Sequence, residues 1–165
     1  MSTEADRAAL MARQGMGARY DAPQAPAKEL LLARRGTAYF ARVLNGLTDE
    51  ALMQKGPAKA VAEVGYHARA LAVGLASVRT GAPAEPVRVA KDVTSLPARA
   101  LRGLFHHSAI HLDVEWRDLP GPMWPVAVLP DGTRAIETPL QRAEHVWRQA
   151  VLIGGRLTDL PAQFR

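Results

Sequence analysis

A chain of 165 residues with 48% hydrophobic content is long enough to fold around one core, and its lack of cysteine excludes disulfides and a thiolate nucleophile of its own. The 21 basic residues outnumber the 16 acidic ones, yet apart from Lys28, Lys55, Lys59 and Lys91 they are arginines scattered singly among few aromatics. That pattern argues against a nucleic-acid face and favours attraction of a small anionic substrate.

Residues 3 to 18 read as a short N-terminal helix, with Thr3 and Asp6 at capping-box spacing and no apolar segment that would mark a secretory signal. The first long helix is expected over residues 26 to 46, where Leu30, Ala33, Thr37, Phe40, Leu44 and Leu47 recur at spacings of three and four. A second follows over 57 to 79, striped by Val61, Val64, Ala68, Leu71, Leu75 and Val78, opened by Pro57 and closed before Gly81. Residues 81 to 95 are Pro-rich, charged and irregular. The third helix, over 97 to 119, carries Leu101, Leu104, Phe105, Ser108, Leu112, Trp116 and Leu119 on one side. After it, Pro130-Asp131-Gly132 lies between two short β-prone runs and predicts a small hairpin. The fourth helix, over 138 to 153, has Leu140, Ala143, Trp147, Ala150 and Val151 as its stripe. No repeat interrupts this order, and no apolar run approaches the roughly 18 to 20 residues of a membrane span. A mostly all-α up-and-down four-helix bundle, soluble and cytoplasmic, follows as the expectation.

The histidines are His67, His106, His107, His111 and His145. Glu63 with His67, His107 with His111, and His145 with Gln149 all stand four apart, which puts both side chains of a pair on one helix face and suits a metal or an acid/base pair. Periodicity divides them. Glu63 and His67 lie about a quarter turn off their stripe, equally compatible with a bundle cavity and a surface ion pair. His106 points away from its stripe, and His107 and His111 lie beside theirs, read as structural or exposed. His145 and Gln149 fall opposite the stripe of the last helix, on a face shared with Arg142, where periodicity alone predicts solvent.

Two segments carry more than periodicity. LPARALRGLFHHSAIHLDVEWRDLPGPMW, from residue 96, and RAIETPLQRAEHVWRQAVLIGG, from residue 134, resemble the N-terminal domain of mycothiol-dependent maleylpyruvate isomerases, members of the DinB-like four-helix metalloenzyme superfamily. RRGTAYF at Arg34 to Phe40, LNGLTDEAL at 44 to 52 and VAEVGYHARALAVGLASVRTG at 61 to 81 extend the resemblance over residues 7 to 162, with a shortened loop at 82 to 95. The resemblance implies a single DinB-like domain over residues 1–165, residues 1–25 being an N-terminal extension and the family's C-terminal domain being absent. It also implies a bundle with a short β-hairpin between the third and fourth helices.

In that family a divalent metal, usually zinc, is held by a His on the second helix and by Glu and His four apart on the fourth. Mycothiol is thought to bind there through its thiol and add to the substrate's double bond. This sequence places Glu63, His145 and Gln149 at those three positions, with His67 one turn after Glu63 where the family commonly has Asn. Every replaced position keeps a proton-active or coordinating group, so a retuned site is expected. Glu63, His67, His145 and Gln149 are its expected catalytic residues, and Glu63, His67 and His145 its metal ligands if metal is retained. Zinc or another divalent metal and mycothiol thus remain open as cofactors. Arg88, which corresponds to a family arginine in the loop after the second helix, and Arg142 are candidates for holding a substrate carboxylate through forked donors.

The expected function is a divergent enzyme of isomerase or lyase type, acting on a small or medium acidic or unsaturated metabolite in bacterial specialised metabolism. Glu63 with His145 or His67 would serve as general acid and base in an isomerisation, elimination or cyclisation. One alternative is a metal- and mycothiol-dependent isomerase or S-transferase, and another a non-catalytic small-molecule-binding or resistance protein. Efficient maleylpyruvate isomerisation itself is not expected, because without a metal the thiol stays mostly protonated at neutral pH. The expected partner is a small-molecule substrate, not nucleic acid or membrane, with a homodimer left open.

Overall fold

The computed structural model describes residues 20–165 together with Glu4, Ala5 and Ala8, so the helix expected over residues 3 to 18 lies, but for those three, outside the described residues. Among the described residues from Tyr20 onward, five α-helices follow one another: α1 (Ala27–Asn45), α2 (Asp49–Leu52), α3 (Lys55–Thr80), α4 (Ala98–Asp118) and α5 (Thr138–Leu152). Proline sets three of the starts. Pro26 and Pro97 immediately precede α1 and α4, and Pro139 stands in the first turn of α5, where its missing N–H leaves no intrahelical bond unmade. The unexpected α2 is one turn within LNGLTDEAL, nucleated by Thr48, whose Oγ1 accepts from the Ala51 N–H at 3.1 Å. At the far end of α3, Gly81 adopts φ 74° and returns its N–H to the Ser77 carbonyl.

The four long helices pack as two pairs. α3 lies along α4 and α1 along α5, α3 also meets α5, and α1 and α4 approach one another only slightly. Leu30, Phe40, Leu44, Leu75, Leu101, Phe105 and Leu112 are fully buried between them, each contributing about 1.5–3 kcal/mol of apolar transfer. The α1–α5 pair is drawn close by Gly36, where a Cβ would stand 2.7 Å from Trp147 Nε1 and from Val146 Cγ1. Trp147 stacks on Tyr39 at 5.1 Å and donates its indole N–H to the Leu32 carbonyl. On the other side Trp116 of α4 donates to Thr138 Oγ1, pinning the start of α5.

The expected hairpin is reduced to a single antiparallel bridge between Val128 and Arg134; the described residues contain no named strand. Its turn forms as read, with the Gly132 N–H on the Leu129 carbonyl and the Leu129 N–H on that of Thr133. The ladder does not extend, because Pro125 and Pro130 lack N–H donors and Ala135 already enters a 3₁₀ turn, Ala135–Glu137. Residues 82–92 form no helix or strand. No helix among the described residues is long and apolar enough to cross a membrane.

Candidate functional site: a histidine cleft between α3 and α5

α5 is buried on two faces at once. Val146, Trp147 and Ala150 turn toward α1, while Arg142, His145 and Gln149, spaced by three and four, turn toward α3. This is why a stripe-based reading sends His145 and Gln149 to solvent. It assumes one wet face, whereas a helix flanked by two neighbours has polar positions that are enclosed as well.

On that face the His67 and His145 rings stack at 4.2 Å between centroids with 25° between planes. Arg142, 1% exposed, donates through Nη1 to the Val64 carbonyl at 2.7 Å and reaches His67 Nδ1 at 3.4 Å. Because arginine only donates, that contact assigns Nδ1 of His67 as the acceptor and leaves its proton on Nε2. Burial, then the neighbouring His145 and Arg142, push His67 down to about 3. Burial and Arg142 also lower His145, while the backbone and carboxylate of Glu63 pull it the other way. Both rings are therefore neutral at pH 7. His145 Nε2 and Gln149 Oε1 are enclosed with no hydrogen-bond partner.

These groups open into a cleft of about 330 Å³ lined by His67, Gln141, Glu144, His145, Arg148 and Gln149. Glu144 and Arg148 pair across one turn of α5 at its edge. Glu63 is more exposed. It sits 3.9 Å from Lys59 and lines an adjoining hollow of about 250 Å³, which shares Gln149 with the cleft. The structure thus brings His67, His145 and Gln149 together, with Glu63 next door. Gln141, Glu144 and Arg148 were missed by sequence reasoning; their only signal is that they flank His145 and Gln149 on the same helix.

The remaining candidates lie elsewhere. His106, His107 and His111 are exposed on α4. His111 stands 3.7 Å from Glu115, whose carboxylate is already held by Arg79. Arg88 is exposed in the loop after α3 and lines neither hollow. A wider cleft, about 760 Å³, runs between the end of α1 and the C-terminal segment. There Tyr39 donates to Asp159 and accepts from the Arg156 N–H, so its polar groups are already matched, unlike those of the histidine cleft.

A metal held as in the resembled family does not suit this arrangement. Among the described residues no group of three or more His, Asp or Glu side chains is placed to hold a metal ion, so Glu63, His67 and His145 do not form the expected ligand set. The stacking explains it. An imidazole lone pair lies in the ring plane, and two rings stacked face to face cannot both aim that lone pair at one ion about 2 Å away. The remaining position, Gln149, offers an amide in place of the imidazole or carboxylate that zinc prefers.

No protein-family model and no curated protein matches the chain. Solved structures that match it include mycothiol-dependent maleylpyruvate isomerase and a histidine-to-alanine mutant of that enzyme. Each has a TM-score of 0.72 and 27% sequence identity, over 87% of this chain and 66% of that one. The chain shares the isomerase's DinB-like helical fold and spans about two thirds of its length.

Proposed function

We propose that the histidine cleft performs metal-free proton transfer on a small acidic or unsaturated metabolite, as an isomerisation, elimination or cyclisation. The observation that carries this reading is the enclosed, unpartnered His145 Nε2 beside a second, neutral histidine. His145 Nε2, without a partner, is free to accept, and the Glu63 backbone and carboxylate favour the imidazolium that forms when a proton arrives. His67, held neutral, offers Nε2–H to an oxygen that gains negative charge, and the Gln149 amide provides a further donor. A proton taken by His145 from one substrate carbon and returned to another is an isomerisation; loss of a neighbouring leaving group is an elimination. The net charge of +5 suits an anionic substrate.

Likeness to a mycothiol-dependent enzyme favours a second reading, thiol addition at a retained metal. The two separate in one experiment. In D₂O, a panel of small unsaturated carboxylic acids is followed by NMR for deuterium incorporation, with and without chelator and mycothiol. We expect exchange that is indifferent to both additions and falls 10²- to 10⁴-fold in His145→Gln. Exchange that requires mycothiol or is abolished by chelator would overturn the proposal, as would no exchange with any acid.

A further inference from the structure

Arg142 has a second side. Burial of a guanidinium costs several kcal/mol unless an anion faces it, yet among the described residues no carboxylate pairs with this one. Nη1 is taken by the Val64 carbonyl and His67, whereas Nη2 is enclosed with no partner at all. Burial alone lowers the group to about 9.

Away from the histidine cleft, where α1 and α4 barely meet, a cavity of about 260 Å³ opens, and Arg142 reaches it from α5. Thr37 of α1 supplies a hydroxyl to this space; Leu112 and Trp116 of α4 supply apolar wall. The one acid in the lining, Asp113, is already engaged by Arg34 at 2.8 Å and Arg117 at 3.1 Å, and Arg34 is also gripped by Asp21. Arg34 and Arg117 are thus answered by Asp21 and Asp113, and Arg142 is the guanidinium of the lining that faces no carboxylate.

We infer that the α1–α4 cavity is a binding site for a small organic carboxylate, whose oxygens take Arg142 Nη2 and the Thr37 hydroxyl and whose carbon end lies against Leu112 and Trp116. A carboxylate matches the donor supply and the greasy wall, whereas a phosphate needs more free donors than one guanidinium nitrogen and one hydroxyl. A cavity of this size holds a few carbons beyond the carboxyl group. The inference does not depend on the chemistry proposed for the histidine cleft, which lies on the α3–α5 side.

The test is a titration of propionate and benzoate against chloride and phosphate at constant ionic strength, read by tryptophan fluorescence and by the Trp116 indole resonance. Saturable carboxylate binding, at least tenfold tighter than chloride, is expected. Ala109→Leu fills the cavity and leaves Arg142 in place, and it should weaken binding at least tenfold; Arg142→Gln should do the same if it folds. His145→Ala should bind as tightly as the parent. An equal response to chloride, no saturable response, or binding retained in Ala109→Leu would overturn the assignment. Binding lost in His145→Ala but kept in Ala109→Leu would overturn it too, by placing the carboxylate in the histidine cleft.

Discussion

On α4, His107 and His111 stand one turn apart and both face solvent, whereas on α5 His145 and Gln149 stand one turn apart with His145 Nε2 and Gln149 Oε1 enclosed. Both helices carry a tryptophan anchor on their apolar side, Trp116 and Trp147. They differ in their neighbours. α4 packs mainly against α3 and leaves its polar side wet; α5 sits between α1 and α3 and encloses its polar side too. Spacing of four therefore brings two side chains to one face, but the surrounding helices decide whether that face has chemistry to do. Stacked on one another and desolvated, His145 of the α5 pair and His67 of α3 both have their proton affinities lowered. Such shifts concentrate at functional sites.

The comparison breaks first if α5 is loosened from α1. Trp147 is 7% exposed, stacks on Tyr39 and bonds the Leu32 carbonyl. Trp147→Ala should cost about 3–5 kcal/mol in urea unfolding. In the same variant the His145 ring should gain solvent access, read as faster reaction with diethyl pyrocarbonate. A cost below about 1 kcal/mol would mean that α1 does not hold α5 against α3.

Much of this bundle was legible because its helices obey simple rules. The apolar stripes, with Pro57 and Gly81 as punctuation of the second helix, place the ends of the four long helices within two residues of those observed. The rules failed where two neighbours compete for one element. Nothing in the spacing of α5 tells which side meets α1 and which meets α3, so periodicity sent His145 and Gln149 to solvent, and only resemblance to a family pointed inward. Likewise Arg142 is the kind of residue expected at a surface, and its burial is visible only once α3 offers the Val64 carbonyl. The hairpin failed for a local reason, since two prolines near the turn withhold the donors a ladder needs.

Acid should act next, through His67. Unfolded, its pKa is about 6.5; folded, it is pushed down to about 3. Below pH 6.5 the unfolded chain takes up a proton that the native state refuses, so the contribution of His67 to stability is full above pH 6.5 and is lost as pH falls toward 3. His145 is shifted in the same direction. Between pH 7 and 4.5 the unfolding free energy should fall by on the order of 2 kcal/mol through His67. His67→Gln, which cannot take up the proton, should flatten the acid limb by about that amount. An unchanged limb in the variant would show that the ring is not desolvated by α5.

The smallest effect is also the sharpest separation of the two helices. An enclosed acceptor without a partner costs about 1–3 kcal/mol, and replacing it by an apolar group of similar shape removes that cost. Gln149 Oε1 is such an acceptor, and methionine matches glutamine in length. Gln149→Met should therefore raise stability by about 1 kcal/mol while weakening deuterium exchange, since the amide proposed to steady the substrate is gone. His111→Met is the same kind of change at the corresponding place in the α4 pair. Its imidazole is exposed and only loosely placed beside Glu115, so stability should move by no more than about 0.5 kcal/mol. Stabilisation by Gln149→Met together with lost exchange would mean that α5 carries a strained polar face for the sake of its chemistry. Equal responses from the two helices in differential scanning calorimetry would mean that the α5 face is as wet as that of α4.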